Sequence, residues 1–309
     1  MLKGLSITPP VVGRISIGRV VERNGKRLPE KDDQFTLTSQ VQNREGWVLH
    51  PLDEKLRKEA GGKLRAIPVR LLFNDPALNL RADYSLFDRN TGRPVCVGNG
   101  DTCRRMGADG IGPQSCPGPD ACAFANGGCK AYARLNVLAG DGEEDALGSF
   151  VLRTTSYNTI RTLAARLDYF NAVSGGLLAC LPLELKLRGK STTMSYRAAI
   201  YYVDLVVRSG LTLAQAIVQA RELDDQRRAN GFDQAALDEA ARRGFANGAF
   251  EDLAEDVPAV VEEFYPETVA PEAGELPVRE APASLRDRLE AKVVRAVRPR
   301  PAGVAGPVA

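Results

Sequence analysis

Residues 95–130 read VCVGNGDTCRRMGADGIGPQSCPGPDACAFANGGCK and hold five of the chain's six cysteines, Cys96, Cys103, Cys116, Cys122 and Cys129. Eight glycines and few large apolar side chains share the stretch, so it has little with which to bury a core of its own. A thiolate quartet around one zinc ion supplies such cohesion, about 10 kcal/mol or more of apparent folding free energy in small zinc modules. The stretch therefore reads as a zinc-binding loop, residues 95–130, inserted into a surrounding sheet.

Disulfides are the competing use of so much sulfur, and they persist mainly in oxidising compartments. The opening MLKGLSITPP has no apolar signal-peptide core, and nowhere does the chain reach the roughly 18 apolar residues that span a membrane. A cytoplasmic location with no membrane partner is expected. Zinc is preferred over an iron–sulfur cluster and over disulfides or unligated thiols. From Cys103 the spacings are x12, x5 and x6, neither the paired C-x2-C of zinc ribbons nor the C-x2-C-x2-C of ferredoxins. Cys116, Cys122 and Cys129 surround the turn-rich CPGPDAC and are the first three candidate ligands. The fourth is Cys96 or Cys103; Cys96 ends an apparent strand and would tie the loop to a rigid element. Cys180, in the apolar run GGLLACLPL, reads as a small buried hydrophobe.

Working outward, the alternation of Ile15 and Ile17 with Arg14 and Ser16, then of Phe35, Leu37 and Ser39, predicts two strands about a turn at Asn24-Gly25. LRAIPVRLLF, LRADYSLFD, residues 131–138 and residues 148–156 continue the extended pattern. A helix is predicted from near Ser156, where Ile160, Leu163, Ala164, Leu167 and Phe170 share one face. GGLLACLPLELKLRG and YRAAIYYVDLVV predict two further strands. Thr212 and Gln215 fit a capping box for a helix ending at Asn230-Gly231, and Asp233 can cap another. The expected fold is α+β: a mostly antiparallel sheet with the cysteine-rich insertion, C-terminal helices and a disordered tail. The expected division is a β-rich core over 1–210, a helical segment over 211–254 and an acidic-then-basic tail over 255–309, with a short basic helix at 284–297.

Formal charge is +2 over 309 residues, but it is unevenly spread. Residues 251–280 hold ten carboxylates against Arg279, and residues 281–309 hold six basic and two acidic residues, which leaves +7 on residues 1–250. Such a body is compatible with a nucleic-acid surface partly masked in cis by the tail.

Catalytic constellations are scarce. One histidine, His50, cannot assemble the histidine-rich zinc hydrolases, and between Trp47 and Pro51 it reads as a half-buried structural residue. RGKST at 188–192 is no phosphate loop, because the position that needs the first glycine holds Glu184; a polar hairpin turn is expected instead. Glu184 and Lys186 share one side of a strand and match half of a metal-dependent nuclease site, a lesser alternative without an upstream aspartate. Arg104 and Arg105 within the loop, Lys130 and Arg134 after it, and Arg153 and Arg161 beyond form a basic accompaniment that either keeps the surface soluble or contacts nucleic acid or a protein partner.

Taken together, CVGNG at 96–100, CPGPDAC at 116–122, GGCKAYARLNV at 127–137 and FVLRTTSYNTIRTL at 150–163 resemble the recombination directionality factor family, accessory proteins of serine integrases, over about residues 10–210. The chain is also similar to products of integrative and conjugative elements labelled hydrolase or metal-binding protein. The resemblance implies a non-enzymatic protein of a mobile element that binds the integrase and alters which DNA synapses it permits, turning integration into excision. It matches Cys96, Cys116, Cys122 and Cys129 to the family's cysteines and leaves Cys103 as an extra. A DNA-binding replication or recombination factor is the alternative reading.

Overall fold

The computed structural model describes residues 10–23, 26–43, 46–108, 110–140, 148–191, 199–245 and 264. By backbone contacts the chain divides into two compact units, residues 1–267 and 268–309, and every described residue belongs to the first.

Its described strands are β1 (Val11–Arg23), β2 (Lys26–Asn43), β3 (Gly46–Leu49), β4 (Ala66–Arg70), β5 (Leu80–Phe87), β6 (Pro94–Gly98), β7 (Thr102–Gly107), β8 (Gly110–Ser115), β9 (Lys130–Ala139), β10 (Ser149–Thr154), β11 (Leu183–Ser191) and β12 (Ala199–Val207). They form one sheet in the order β3-β2-β1-β10-β9-β5-β6-β7-β8, from which β4, β11 and β12 branch at the end of β9. The β1–β10 pair is parallel and the other pairs are antiparallel. A mixed α+β fold dominated by a mostly antiparallel sheet, with helices toward the C-terminus, is thus what the alternation of the sequence led us to expect.

Helices α1 (Pro51–Glu59), α2 (Pro76–Asn79), α3 (Tyr157–Ser174), α4 (Leu213–Ala229) and α5 (Gln234–Phe245) complete the described elements, besides single turns. Ser156 caps α3 through the Thr159 amide, and Gly175, at φ 70, ends it in the left-handed conformation that glycine adopts without strain. Ile160, Leu163, Leu167 and Phe170 of α3 are buried against the sheet together with Ile15, Leu37, Leu135, Leu152, Leu185 and Leu205. Thr159 adds a pin, its hydroxyl accepting from the Val203 amide of β12 at 3.2 Å. The capping box of Thr212 and Gln215 starts α4, which ends at Asn230; Asp233 accepts from the Ala236 amide at the start of α5.

Three features depart from the sequence reading. Residues 102–107 and 110–115 are not irregular loop but the paired strands β7 and β8, which extend the sheet to its edge; alternation is hidden there because cysteine, arginine and glycine, not aliphatic side chains, occupy the face toward the sulfurs. Arg188–Ser191, read as a turn, belong to β11 and pair with β12. Short α1 and α2 escaped notice, although His50 and Asp75 cap them and a proline opens each. Asn24-Gly25 and the basic helix at 284–297 lie outside the described residues.

Candidate functional site

The arm β6–β7–β8 is the cysteine region, and its register explains how the sulfurs meet. Gly98 of β6 lies opposite Cys103 of β7, and Cys96 lies opposite Arg105, so Cys96, Cys103 and Arg105 project from one face of the arm. Cys116 follows β8 immediately and joins them: Cys96, Cys103 and Cys116 are buried together with Leu86 packed against them. Gly98 is what permits the approach. A Cβ there would stand 2.6 Å from the Cys103 Cβ and 3.0 Å from the Cys116 Sγ, closer than packed atoms tolerate.

Cys122 and Cys129, half-buried, border the same cluster. The Arg105 guanidinium donates to the Sγ atoms of Cys103 and Cys122 at 3.8 Å each and lies 4.2 Å above the Phe124 ring. Burial pushes the Cys103 thiol up to about 11, reinforced by its hydrogen bond with Cys96. Burial likewise raises Cys129 to about 11, and the nearby Cys96, Cys116, Cys122 and Cys103 add to the shift. All six cysteines are free of disulfides.

Five thiols therefore share one small volume, a donor set of the kind that suits a soft or borderline cation. They have not drawn in around a common point: among the described residues, no three Cys, His, Asp or Glu side chains are placed to hold a metal ion. Cys103, which the family resemblance leaves as an extra, lies inside the buried trio with Cys96 and Cys116. Cys180 is elsewhere, fully buried in the main core with its Sγ 3.6 Å from Arg227 Nη1.

The six basic residues singled out from sequence do not make one patch. Arg105 faces the sulfurs, whereas Arg104 of the same strand lies opposite Val97 and Pro113. Lys130, Arg134 and Arg153 belong to β9 and β10, and Arg161 is exposed on α3. No residue count could have separated them, because strand register alone decides who faces whom. Phe124, seated beneath Arg105, was missed altogether.

The other candidates take structural roles. His50 caps α1, its Nδ1 accepting from the Leu52 amide at 3.2 Å, and sets its ring edge-on to Phe150. Glu184 and Lys186 do share a face, 3.5 Å apart, but Glu184 is buried and accepts from both the amide and the hydroxyl of Ser209, at 2.9 and 3.0 Å. Its lone pairs thereby fasten the turn after β12.

At the tip of the arm, Met106 of β7 pairs across with Ile111 of β8, and both are exposed, as is Phe124. Pro113 interrupts the donor pattern of β8, the outermost strand, which discourages open-ended strand addition there. A family model described as Gp3-like, recombination directionality factor-like, matches residues 12–208, a span that includes the whole arm and the sheet that carries it. The chain belongs to that family. Neither a curated protein nor a solved structure matches it. Membership connects the chain with DNA recombination in mobile elements, and among the described residues no helix is long and apolar enough to cross a membrane.

Proposed function

We propose that this protein is a zinc-stabilised accessory factor that binds a serine integrase of its mobile element and biases it from integration toward excision. The reading is supported by membership of this family together with the buried trio Cys96, Cys103 and Cys116, with Cys122 and Cys129 nearby, on an arm that leaves the cross-strand pair Met106 and Ile111 exposed. A directionality factor needs only a higher affinity for one of two integrase arrangements, so a firm docking surface suffices and no reacting groups are required.

Zinc has a defined part in this reading. Cys116, Cys122 and Cys129 with Cys96 or Cys103 would hold it, Arg105 would balance the thiolate charge, and the bound ion would keep β7 and β8 in one conformation. Ordering the arm before the encounter lowers the entropic cost of docking. Elemental analysis of protein purified without chelator should find about one zinc per chain and no iron. Serine at Cys122 or Cys129 should abolish zinc uptake, and serine at Cys180 should leave it unchanged; parallel loss in Cys180→Ser would refute the ligand set. Comparing Cys96→Ser with Cys103→Ser assigns the fourth thiol.

A nuclease built on Glu184 and Lys186 is disfavoured by the occupation of Glu184 with Ser209. The DNA-binding alternative would use Arg81, Arg134 and Arg153, which register sets opposite one another across β5, β9 and β10 on the face away from the apolar core, with Arg14 of β1 diagonal to Arg153.

A further inference from the structure

Helix α3 packs along β12 and reaches β11 through side chains, and the bonds among the three elements define one cationic strip. Lys190 Nζ of β11 donates to Asn158 Oδ1 near the start of α3 at 2.7 Å. About two turns further along the helix, Arg166 Nε donates to Asp204 Oδ1 of β12 at 3.0 Å, and Arg188 Nε of β11 donates to the other oxygen, Oδ2, at 3.3 Å. Register sets Lys186 directly opposite Asp204. Alternation puts Lys186, Arg188 and Lys190 on one side of β11. Two rails result: Asn158 to Arg166 covers about 12 Å of helix, and Lys190 to Lys186 about 13 Å of strand. Arg161, exposed and one turn from Asn158, adds a further cation on α3.

These cations are in excess of what holds the fold together. Arg166 and Arg188 keep 43 % and 45 % of their side-chain surface, and Lys190 is exposed. Buried Asp204 is the one carboxylate that the two arginines contact among the described residues. Balancing one carboxylate takes one cation, so the second guanidinium is surplus to that pairing. Each arginine gives only its Nε to Asp204, and no described residue accepts from the Nη groups of either. A buried carboxylate that grips two guanidiniums by Nε orients them and leaves both forks to solvent, a geometry that suits phosphate oxygens. The first turn of α3 carries no carboxylate, so the positive end of its dipole adds to the same field beside Asn158 and Arg161.

We propose that this strip, Arg161 and Arg166 of α3 with Lys186, Arg188 and Lys190 of β11, docks the phosphate backbone of duplex DNA. A strip suits a linear polyanion, whereas a compact anion would engage one end of it. Over about 13 Å of strand, one DNA strand presents roughly four phosphates at about 3.4 Å per charge. The family's connection with DNA recombination favours DNA over an acidic polypeptide. Exposure favours the strip over the row of Arg14, Arg153, Arg134 and Arg81, in which Arg14 and Arg153 are buried and Arg14 is stacked on Trp47. None of the strip's residues belongs to the arm, so the inference rests neither on zinc nor on integrase docking. An arm on the integrase and a strip on DNA would let one protein act on both components of a synapse.

The test uses the full chain and a fluorescein-labelled duplex of random sequence, with anisotropy read from about 50 mM to about 200 mM salt. The unchanged chain should bind at the lower salt and weaken steeply toward the higher. Arg161→Gln with Lys190→Gln, exposed positions not paired with a carboxylate, should leave denaturant unfolding as it was. The same double variant should weaken binding by about tenfold at low salt and reduce the slope of log affinity against log salt by about two. Arg166→Gln with Arg188→Gln should weaken binding at least as much, and lysine at both positions, which keeps the charges but not the forks, should recover only part of the loss. Arg81→Gln should leave affinity and slope nearly as they were. No binding by the unchanged chain, or full binding by both glutamine pairs, overturns the proposal. A loss with Arg81→Gln as large as theirs also overturns it, because the DNA would then lie on the other row. Polyglutamate that displaces the duplex as readily as unlabelled DNA of equal charge would identify an acidic polypeptide as the occupant and overturn it as well.

Discussion

The half of the sheet beneath α3 and the arm beyond β5 solve the same problem with different materials. Under α3, aliphatic side chains from β1, β2, β9, β10, β11 and β12 interlock with Leu163, Leu167 and Phe170, and the strands there could have been drawn from alternation alone. In the arm, β7 reads TCRRMG and β8 reads GIGPQS, and the buried residues are Cys96, Cys103 and Cys116 with Leu86 beside them. Apolar burial at roughly 25 cal/mol per Å² holds the first region whatever the solution contains. In the function proposed above, the second would depend on zinc held by its sulfurs. The two regions would then differ in whether rigidity answers to a ligand.

Removing the ligand should produce the largest contrast. With zinc bound, amide exchange across β6–β8 should be slow; a strong chelator or Cys116→Ser should collapse that protection by several orders of magnitude, in line with about 10 kcal/mol of metal-linked folding energy, and leave β9 and α3 protected. Uniform loss throughout the sheet would erase the distinction between the two regions. Next in size is Leu163→Ala, which opens a cavity in the fully buried core and should cost about 2–5 kcal/mol in denaturant unfolding, with zinc content unchanged. Glu184→Ala strips Ser209 of both partners and should cost about 1–3 kcal/mol, again without loss of zinc and without altering any cleavage of DNA measured in the presence of magnesium. Smallest is Thr212→Ala, which breaks the capping box of α4 for about 1 kcal/mol and should leave arm exchange as it was.

What the sequence disclosed follows the same division. Alternating Ile15 and Ile17, then Phe35 and Leu37, marked β1 and β2, the Tyr, Ile and Val of 200–207 marked β12, and Ser156 and Thr212 marked helix starts, because local pattern and tertiary burial agree there. Hairpin β7–β8 was hidden because its inward positions hold cysteine and arginine. The gathering of five thiols was legible in their number but not in their spacing, since β-register rather than a short motif brings Cys96, Cys103 and Cys116 together. The row Arg14, Arg153, Arg134 and Arg81 was illegible for a related reason: its members lie on four strands whose order in space is not their order in the chain.

The most direct measurement is binding of the zinc-loaded protein to the serine integrase of its own mobile element at about 0.3 M salt, beside the same protein with Met106→Glu and Ile111→Glu and a third sample bearing Cys116→Ser. The account predicts a salt-resistant complex with the first and a loss of at least about tenfold in affinity with both others. An integrase that ignores the zinc-loaded protein, or that binds all three samples equally, would contradict it.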